Sequence, residues 1–189
     1  RQGVRRVNCS RHRLAILFAP RRTFPYRGRY RTPQAGQVVG WGEMARTVLK
    51  FGGTSVGDLD RIANVAEIVA ARAAKGEKMA VIVSAMSGET NKLVALADGA
   101  AGKDLPRNLY DDEYDVVVAS GEQVTAGLLA LALRRRGLKA RSWLGWQLRL
   151  KTDNSHGRAR IMGFDDSALP DSVDSGEIAV VAGFQGVTD

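Results

Sequence analysis

Residues 50–57 read KFGGTSVG and combine residue types that can hold a phosphate group. A lysine, two adjacent glycines and two hydroxyl side chains directly follow a short apolar run. Because Gly52 and Gly53 lack side chains, their backbone N–H groups can approach an anion, and the positive end of a following helix can face it. Lys50 supplies a compact, mobile positive charge. The alternative is an ordinary strand-to-helix turn with an incidental lysine, since Gly-Gly turns are common.

Glu122 is a second candidate, because it is an acidic residue within an apolar stretch. Residues 119–122 read ASGE and lie inside a predicted helix at 111–137. A glycine in a helix interior costs about 1 kcal/mol relative to alanine. We therefore expect Gly121 to mark a bend or a close approach of another segment. For Glu122 itself, a solvated helix face and a role in a site both remain open.

Apolar strands that alternate with helices must position these two groups. The apolar spacing after Asp58 predicts a helix that begins at this N-cap and stops at Gly76. Continuously apolar strands separated by helices favour βαβ units and a parallel sheet, so the sequence predicts an α/β fold. The remaining predicted elements are strands at 47–49, 78–84, 139–143, 157–162 and 177–183, a helix at 91–101 and a polar loop at 145–155.

The positive charge of the chain is concentrated in its first segment. Residues 1–43 hold ten arginines and one acid, a net +9, whereas residues 44–189 carry −1. We expect residues 1–43 to be a disordered basic extension or a translated leader before a true start at Met44. A targeting peptide would also be rich in serine, which this segment is not. A nucleic-acid-binding arm at residues 1–31, with aromatic side chains among the arginines, is the disfavoured alternative.

The 189-residue length fits one domain, or one domain with an appendage, and several function classes find no support in the sequence. Uninterrupted apolar runs are shorter than the ~20 residues that cross a bilayer. A single cysteine, Cys9, suits a reducing compartment, and we expect a cytoplasmic protein. The sequence also lacks a zinc-spaced Cys/His cluster, a recognisable Ser-His-Asp grouping and a G-x-G-x-x-G motif. A hydrolase, an enzyme with protein-only metal ligands and a hydride-transfer enzyme are therefore disfavoured.

Six sequence blocks, taken in order, resemble the amino-terminal part of the aspartate kinase family. They are residues 50–57, 84–91, 119–122, 145–153, 156–161 and 181–186. The resemblance covers residues 44–189 and implies a three-layer αβα sandwich with a mainly parallel sheet. It also implies ATP-dependent phosphorylation of the side-chain carboxylate of L-aspartate, the first step toward lysine, threonine and methionine.

The resemblance implies roles for eight residues. The residues matching the nucleotide-binding positions are Lys50, Gly52, Gly53 and Ser55, and of these Lys50 also matches the catalytic lysine. The residues matching the aspartate pocket are Ser84, Thr90, Glu122 and Arg160, of which Glu122 matches the acid that meets the aspartate amino group. Mg²⁺ is expected to be bound mainly by the nucleotide, without protein ligands, and the full-length enzyme is expected to be a homo-oligomer.

The family pattern extends beyond this sequence. A downstream Gly-Arg-Gly-Gly-Ser-Asp block, which supplies the arginine for the aspartate carboxylate, and the regulatory ACT domains are not in it. We therefore expect this chain alone to have little or no activity. The main alternative is a sister kinase of the same superfamily that acts on another carboxylate or a carbamate.

Overall fold

The computed structural model describes residues 46–164 and 167–188. The strands are β1 (Arg46–Phe51), β2 (Lys78–Val83), β3 (Ala140–Trp143), β4 (Leu150–Thr152), β5 (Ile161–Phe164) and β6 (Ile178–Ala182). The α-helices are α1 (Leu59–Ala73), α2 (Glu89–Ala101), α3 (Asp111–Arg134), α4 (Gly145–Leu148) and α5 (Leu169–Asp174), and two 3₁₀ turns cover Gly53–Val56 and Arg107–Leu109. The expectations for residues 1–43 lie outside the described residues.

Four strands form a parallel sheet in the order β1-β2-β6-β3. Lys50 lies opposite Ile82, which in turn lies opposite Val181. Helix α1 connects β1 and β2, which are neighbours in the sheet. β2 and β3 are not neighbours, because β6 lies between them. Because all four strands run in one direction, their carboxyl ends meet at one edge, where sheets of this type bind ligands.

Helices cover both faces of this sheet. On one face, α1 and α3 pack against alternate strand residues such as Leu49, Val81 and Val180, all of which are buried. On the other face, Val173 of α5 packs with Trp143 in a second buried cluster. The predicted α/β class and three-layer αβα sandwich with a parallel sheet are therefore confirmed.

The signals that predicted α1 operate as expected. The Asp58 side chain accepts a hydrogen bond of 2.7 Å from the backbone N–H of Arg61, which caps the first turn. Ile62, Val65 and Val69 on one face of α1 are buried in the core. Gly76 lies just after the helix with a φ of 79°, a conformation that favours glycine and ends the helical turn.

Helix α3 is unbroken at Gly121, so the glycine serves a close approach rather than an interruption of the helix. A Cβ atom built on Gly121 would lie 2.9 Å from Leu93 Cδ1 and 3.1 Å from Ala85 Cβ. By length and composition alone, α3 could also span a membrane. However, Leu129 and Leu133 are fully buried against the sheet, so packing in the core accounts for the apolar character of this face.

The prediction was least accurate between residues 145 and 176. The expected polar loop contains α4 and β4, and the expected strand at 157–162 begins only at Ile161. β5 pairs antiparallel with β4, outside the main sheet. Residues 157–160 do not form a strand, because Gly157 has a φ of 73° and turns the chain. Helix α5 was not predicted, since six residues are too few to establish a helical period.

The two inner glycines of α3 provide a matched test of this packing. Gly121→Ala should lower the free energy of unfolding by roughly 1–3 kcal/mol, because the added methyl group has no space. Gly127→Ala should raise it by roughly 0.5–1 kcal/mol, since nothing lies within 4 Å of the position that its Cβ would occupy and alanine favours the helix. Urea denaturation measures both values. Equal effects of the two substitutions would contradict the close approach at Gly121.

Candidate functional site

Lys50 lies one residue before the carboxyl end of β1. Its side chain is exposed, whereas Leu49 and Phe51 on either side of it are buried in the core. The alternation of the strand therefore fixes the lysine on the opposite face from the α1 and α3 layer. This places a positive charge at the edge of the sheet where the parallel strands end.

The two glycines after Lys50 have different environments. A Cβ atom on Gly53 would lie 2.8 Å from the carbonyl oxygen of Ala85, so this position requires glycine for packing. A Cβ atom on Gly52 would meet nothing within 4 Å, and the residue is exposed. Gly52 therefore leaves open space beside the strand end, where a ligand could approach the backbone.

A 3₁₀ turn, rather than α1, directly follows the glycine pair. The half-buried Ser55 belongs to this turn and donates its backbone N–H to the carbonyl oxygen of Gly52 over 2.8 Å. The first turn of α1 already has a carboxylate cap from Asp58. The positive helix end next to the glycines is therefore that of the 3₁₀ turn, not that of α1. Gly52 is the N-cap residue of this turn and has no side chain to cap it.

The loop after β2 brings Ser84 next to the end of β1. The backbone N–H of Ser84 donates to the carbonyl oxygen of Phe51 over 3.1 Å. The loop then turns at Gly88, which has a φ of 81°, and Thr90 follows in the first turn of α2. Ser84 is half-buried and Thr90 is exposed. Both hydroxyl-bearing residues come after β2, the strand that pairs with β1 and its Lys50.

Glu122 is half-buried and its carboxylate binds the backbone of neighbouring loops. Its Oε2 atom accepts a hydrogen bond from the backbone N–H of Phe184, in the loop after β6. A Cβ atom on Gly183 would lie 3.0 Å from the same oxygen. The interpretation as a solvated helix face is therefore wrong, because the side chain points to the edge where β2 and β6 end.

Burial raises the pKa of the Glu122 carboxyl above its ordinary value, since the charged form loses water. The backbone N–H groups of Phe184, Gly183 and Ala85 oppose this rise because they stabilise the ionised form. The positive charge of Lys50 also opposes it. Lys50 and Glu122 are two separately predicted site residues that lie 72 positions apart in the sequence. The fold brings them close enough to interact electrostatically.

Arg160 lies in the exposed turn before β5. Its backbone N–H donates to Asp153 Oδ1 over 3.1 Å, and Asp153 donates its own N–H to the Arg160 carbonyl oxygen. The same turn is attached to α3, since Gly157 N–H donates to Asp115 Oδ2 over 2.8 Å. This attachment lies two helical turns before Glu122.

The sequence analysis assigned no site residue to the loop after β6. This loop supplies the N–H of Phe184 to Glu122 and places Gly183 against the carboxylate. The position of residues 184–186 after a buried strand of a parallel sheet does mark this loop in the sequence as a place for ligands, and residues 181–186 form the sixth block of the resemblance, but neither signal assigned a role to a residue of the loop.

Within residues 46–164 and 167–188, no group of three or more His, Cys, Asp or Glu side chains is arranged to hold a metal ion. At the strand ends, the positive charge of Lys50 instead acts electrostatically on the Glu122 carboxylate. A lysine can bind phosphate oxygens and a carboxylate can bind an ammonium group, so this edge suits a phosphate-bearing ligand beside an ammonium-bearing one, and a divalent ion could enter bound to the phosphates.

Comparison with known proteins places the chain in a family. Residues 45–189 match the Amino acid kinase family. The chain belongs to the amino acid kinase family. Among curated members, an aspartate kinase of Pseudomonas putida is 48% identical over 146 residues, which cover 77% of this chain and 34% of the relative.

Solved structures of amino acid kinases share the fold. The aspartate kinase of Synechocystis aligns with a TM-score of 0.59 and 37% identity over 74% of this chain and 22% of its own. Escherichia coli aspartokinase III, in complex with lysine and aspartate, aligns with a TM-score of 0.56 and 25% identity over 74% of this chain and 41% of its own. The chain spans about a third of the length of the curated relatives that it matches.

The glycine pair allows the close packing at Gly53 to be compared with the open space at Gly52. Gly53→Ala should lower the free energy of unfolding by roughly 1–3 kcal/mol, because its Cβ would contact the Ala85 carbonyl oxygen. Gly52→Ala should change it by less than about 0.5 kcal/mol, since its backbone is extended and the space is open. Thermal melts and denaturant titrations measure both, and a large loss at Gly52 would contradict the open space.

Glu122→Gln should show the cost of the buried charge as a pH dependence. The folded-state pKa of Glu122 is raised, so the folded protein binds this proton more tightly than the unfolded chain does. Stability linked to this group is therefore fully present below the ordinary pKa of 4.5 and is lost as the pH rises from there through the raised folded-state pKa. The melting temperature of the variant, relative to wild type, should increase over that rise in pH and then level off.

Glu113→Gln, an exposed change in the first turn of the same helix, is the control for this measurement. Its melting temperature relative to wild type should not follow the trend seen at Glu122. If wild type instead gains stability over Glu122→Gln as the pH rises, the ionised carboxylate is a net stabilising group and the account of its burial is wrong.

Proposed function

We propose that this chain contributes the phosphate- and amino-acid-binding edge of an aspartate kinase. The enzyme would transfer the γ-phosphoryl group of ATP to the side-chain carboxylate of L-aspartate, which yields 4-phospho-L-aspartate and ADP. The observation that carries the proposal is the half-buried Glu122 carboxylate, held by backbone N–H groups and within the electrostatic influence of Lys50 at the strand ends, in a chain 48% identical to an aspartate kinase. The complex of E. coli aspartokinase III with aspartate, at 25% identity, supports the choice of amino acid.

The chemistry needs relief from charge repulsion more than it needs a base. The side-chain carboxyl of aspartate has an ordinary pKa of about 4, so the nucleophile is already ionised at neutral pH. One of its oxygens forms a bond to the γ-phosphorus while the bond from that phosphorus to the bridging oxygen breaks, and the electron pair leaves with ADP. Both reactants are anions, so a fixed cation such as Lys50 lowers the barrier by stabilising their approach.

Lys50 and the glycine pair are the proposed phosphate-binding groups. The exposed ammonium group of Lys50 can contact phosphate oxygens, and the open space at Gly52 allows the backbone to do the same. Ser55 in the adjoining 3₁₀ turn adds a nearby hydroxyl group. Mg²⁺ would enter with ATP, bound through phosphate oxygens, and would neutralise charge on the nucleotide.

Glu122 is the proposed determinant for the α-ammonium group of the substrate. Backbone N–H groups hold its carboxylate at the strand ends, and burial makes its charge costly. A substrate ammonium group would compensate that charge, so binding favours an amino acid over a dicarboxylic acid without nitrogen. The hydroxyl groups of Ser84 and Thr90 are proposed to orient the substrate carboxylates.

Three further assignments are proposals drawn from the resemblance. Arg160 is proposed to lie near the aspartate pocket of the complete enzyme, although its contacts here are with Asp153. A homo-oligomeric full-length enzyme and a cytoplasmic location are proposed on the same basis.

A chimera tests the proposed function directly. Residues 44–189 would replace the matched segment of the Pseudomonas putida aspartate kinase, and ADP release would be followed with L-aspartate, L-glutamate, N-acetyl-L-glutamate and carbamate. We expect turnover with L-aspartate. Lys50→Ala should lower kcat by roughly 10²–10³-fold, because it removes the charge that stabilises phosphoryl transfer.

Lys103→Ala is the matched control, since Lys103 is an exposed lysine in the segment after α2. It should leave turnover within about twofold of the unmutated chimera. A folded chimera that releases ADP with another acceptor but not with L-aspartate would contradict the proposed function. Turnover that Lys50→Ala leaves unchanged would also contradict it.

A further inference from the structure

Gln185 connects three elements through the two ends of its side-chain amide. Its Nε2 atom donates a hydrogen bond of 3.3 Å to the carbonyl oxygen of Ala119 in α3. Its Oε1 atom accepts a hydrogen bond of 3.4 Å from the backbone N–H of Gly145, the first residue of α4. The residue itself lies in the loop after β6 and is half-buried, so one side chain joins this loop to two helices.

The space around Gln185 leaves this arrangement little freedom. A Cβ atom on Gly145 would lie 2.8 Å from Gln185 Cβ and 3.0 Å from the backbone nitrogen of Gly186. The start of α4 therefore contacts the loop directly, and a side chain at position 145 would separate them. Contact on this side and the hydrogen bond to α3 on the other restrict the loop from both directions.

The same loop provides the hydrogen-bond donor for Glu122. Phe184 immediately precedes Gln185, and its backbone N–H donates to Glu122 Oε2. Ala119 and Glu122 lie three residues apart, about one turn of α3. The loop thus contacts α3 at two successive turns, once through the Gln185 amide and once through the Phe184 N–H.

We propose that Gln185 is a positioning residue that fixes the Phe184 N–H against the Glu122 carboxylate and thereby sets the recognition of the substrate ammonium group. The inference rests on the proposed function for its substrate, but its geometric part concerns only this chain. Gln185 acts through Phe184 and Glu122. An amide suits the position because one end must donate to a carbonyl oxygen while the other accepts from an N–H group.

The first measurement follows the Glu122 carboxyl by NMR in the 189-residue chain labelled with ¹³C-glutamate. Gln185→Met keeps the approximate volume and removes both hydrogen bonds. The Phe184 N–H would then be held less firmly, so its stabilisation of the ionised carboxylate would weaken and the pKa of Glu122 should rise further. Lys50 and the N–H groups of Gly183 and Ala85 also act on this carboxyl, and they are unchanged in the variant.

Gln147→Met is the matched control. Gln147 is another half-buried glutamine, and its Oε1 atom accepts a 2.9 Å hydrogen bond from the backbone N–H of Leu144 at the start of α4. Its loss removes one hydrogen bond at the start of α4 but neither of the two that Gln185 makes, so the titration of Glu122 should be unchanged. A change of similar size in both variants would mean that Gln185 acts only by general stabilisation, and would overturn the proposal.

The second measurement compares the binding of L-aspartate and succinate by calorimetry, since succinate lacks the ammonium group. Gln185→Met should weaken L-aspartate binding about fivefold or more and should change succinate binding by less than about twofold. A merely structural role would weaken both ligands together, and that result would overturn the proposal.

The two measurements separate this proposal from the proposed function. If the chimera described above shows no turnover with L-aspartate while Gln185→Met still raises the pKa of Glu122, the proposed substrate is wrong and the positioning role is supported. If Gln185→Met does not unfold cooperatively, Gln185→Asn replaces it, because its side chain is one methylene too short to keep both hydrogen bonds. An unchanged Glu122 titration in whichever folded variant is measured would overturn the inference.

Discussion

A carboxylate that is partly removed from water must be compensated, and at Glu122 the compensation comes from the ends of neighbouring strands. Backbone N–H groups after β2 and β6 stabilise its charge, as does Lys50 at the end of β1. Moving any of these segments would leave the charge without its partners, which is costly at a half-buried position. The stability of the Glu122 charge therefore depends on the relative positions of the ends of β1, β2 and β6.

The parallel sheet makes such a meeting possible. Since β1, β2 and β6 are neighbours and run in one direction, the loops after them converge. Two glycines permit the required close packing: Gly53 lies against the Ala85 carbonyl oxygen, and Gly121 lets α3 approach the same loop. The apolar face of α3 anchors Glu122, because Leu129 and Leu133 on that helix are fixed in the core. Packing on one face of the sheet thus determines the site at its edge.

The sequence predicted elements whose signals are local, and it failed where the signals depend on distant residues. Helix α1 has a cap, a period of apolar residues and a terminal glycine within one stretch, so its bounds were predictable. The partners of Glu122 were not, because Phe184 is 62 residues away and donates from its backbone, which no residue type reveals. The region from 145 to 176 failed because its elements are short and β5 pairs outside the main sheet.

The most direct test of the account is an amide-resolved NMR titration of the ¹⁵N-labelled chain with L-aspartate and then with MgATP. The account predicts that L-aspartate shifts the amide signals of Ala85, Gly183 and Phe184, whose N–H groups stabilise the Glu122 carboxylate. MgATP should shift those of Gly52 and Gly53. If both ligands shift signals elsewhere in the chain while these five stay in place, the strand-end edge is not the binding site and the central claim is wrong.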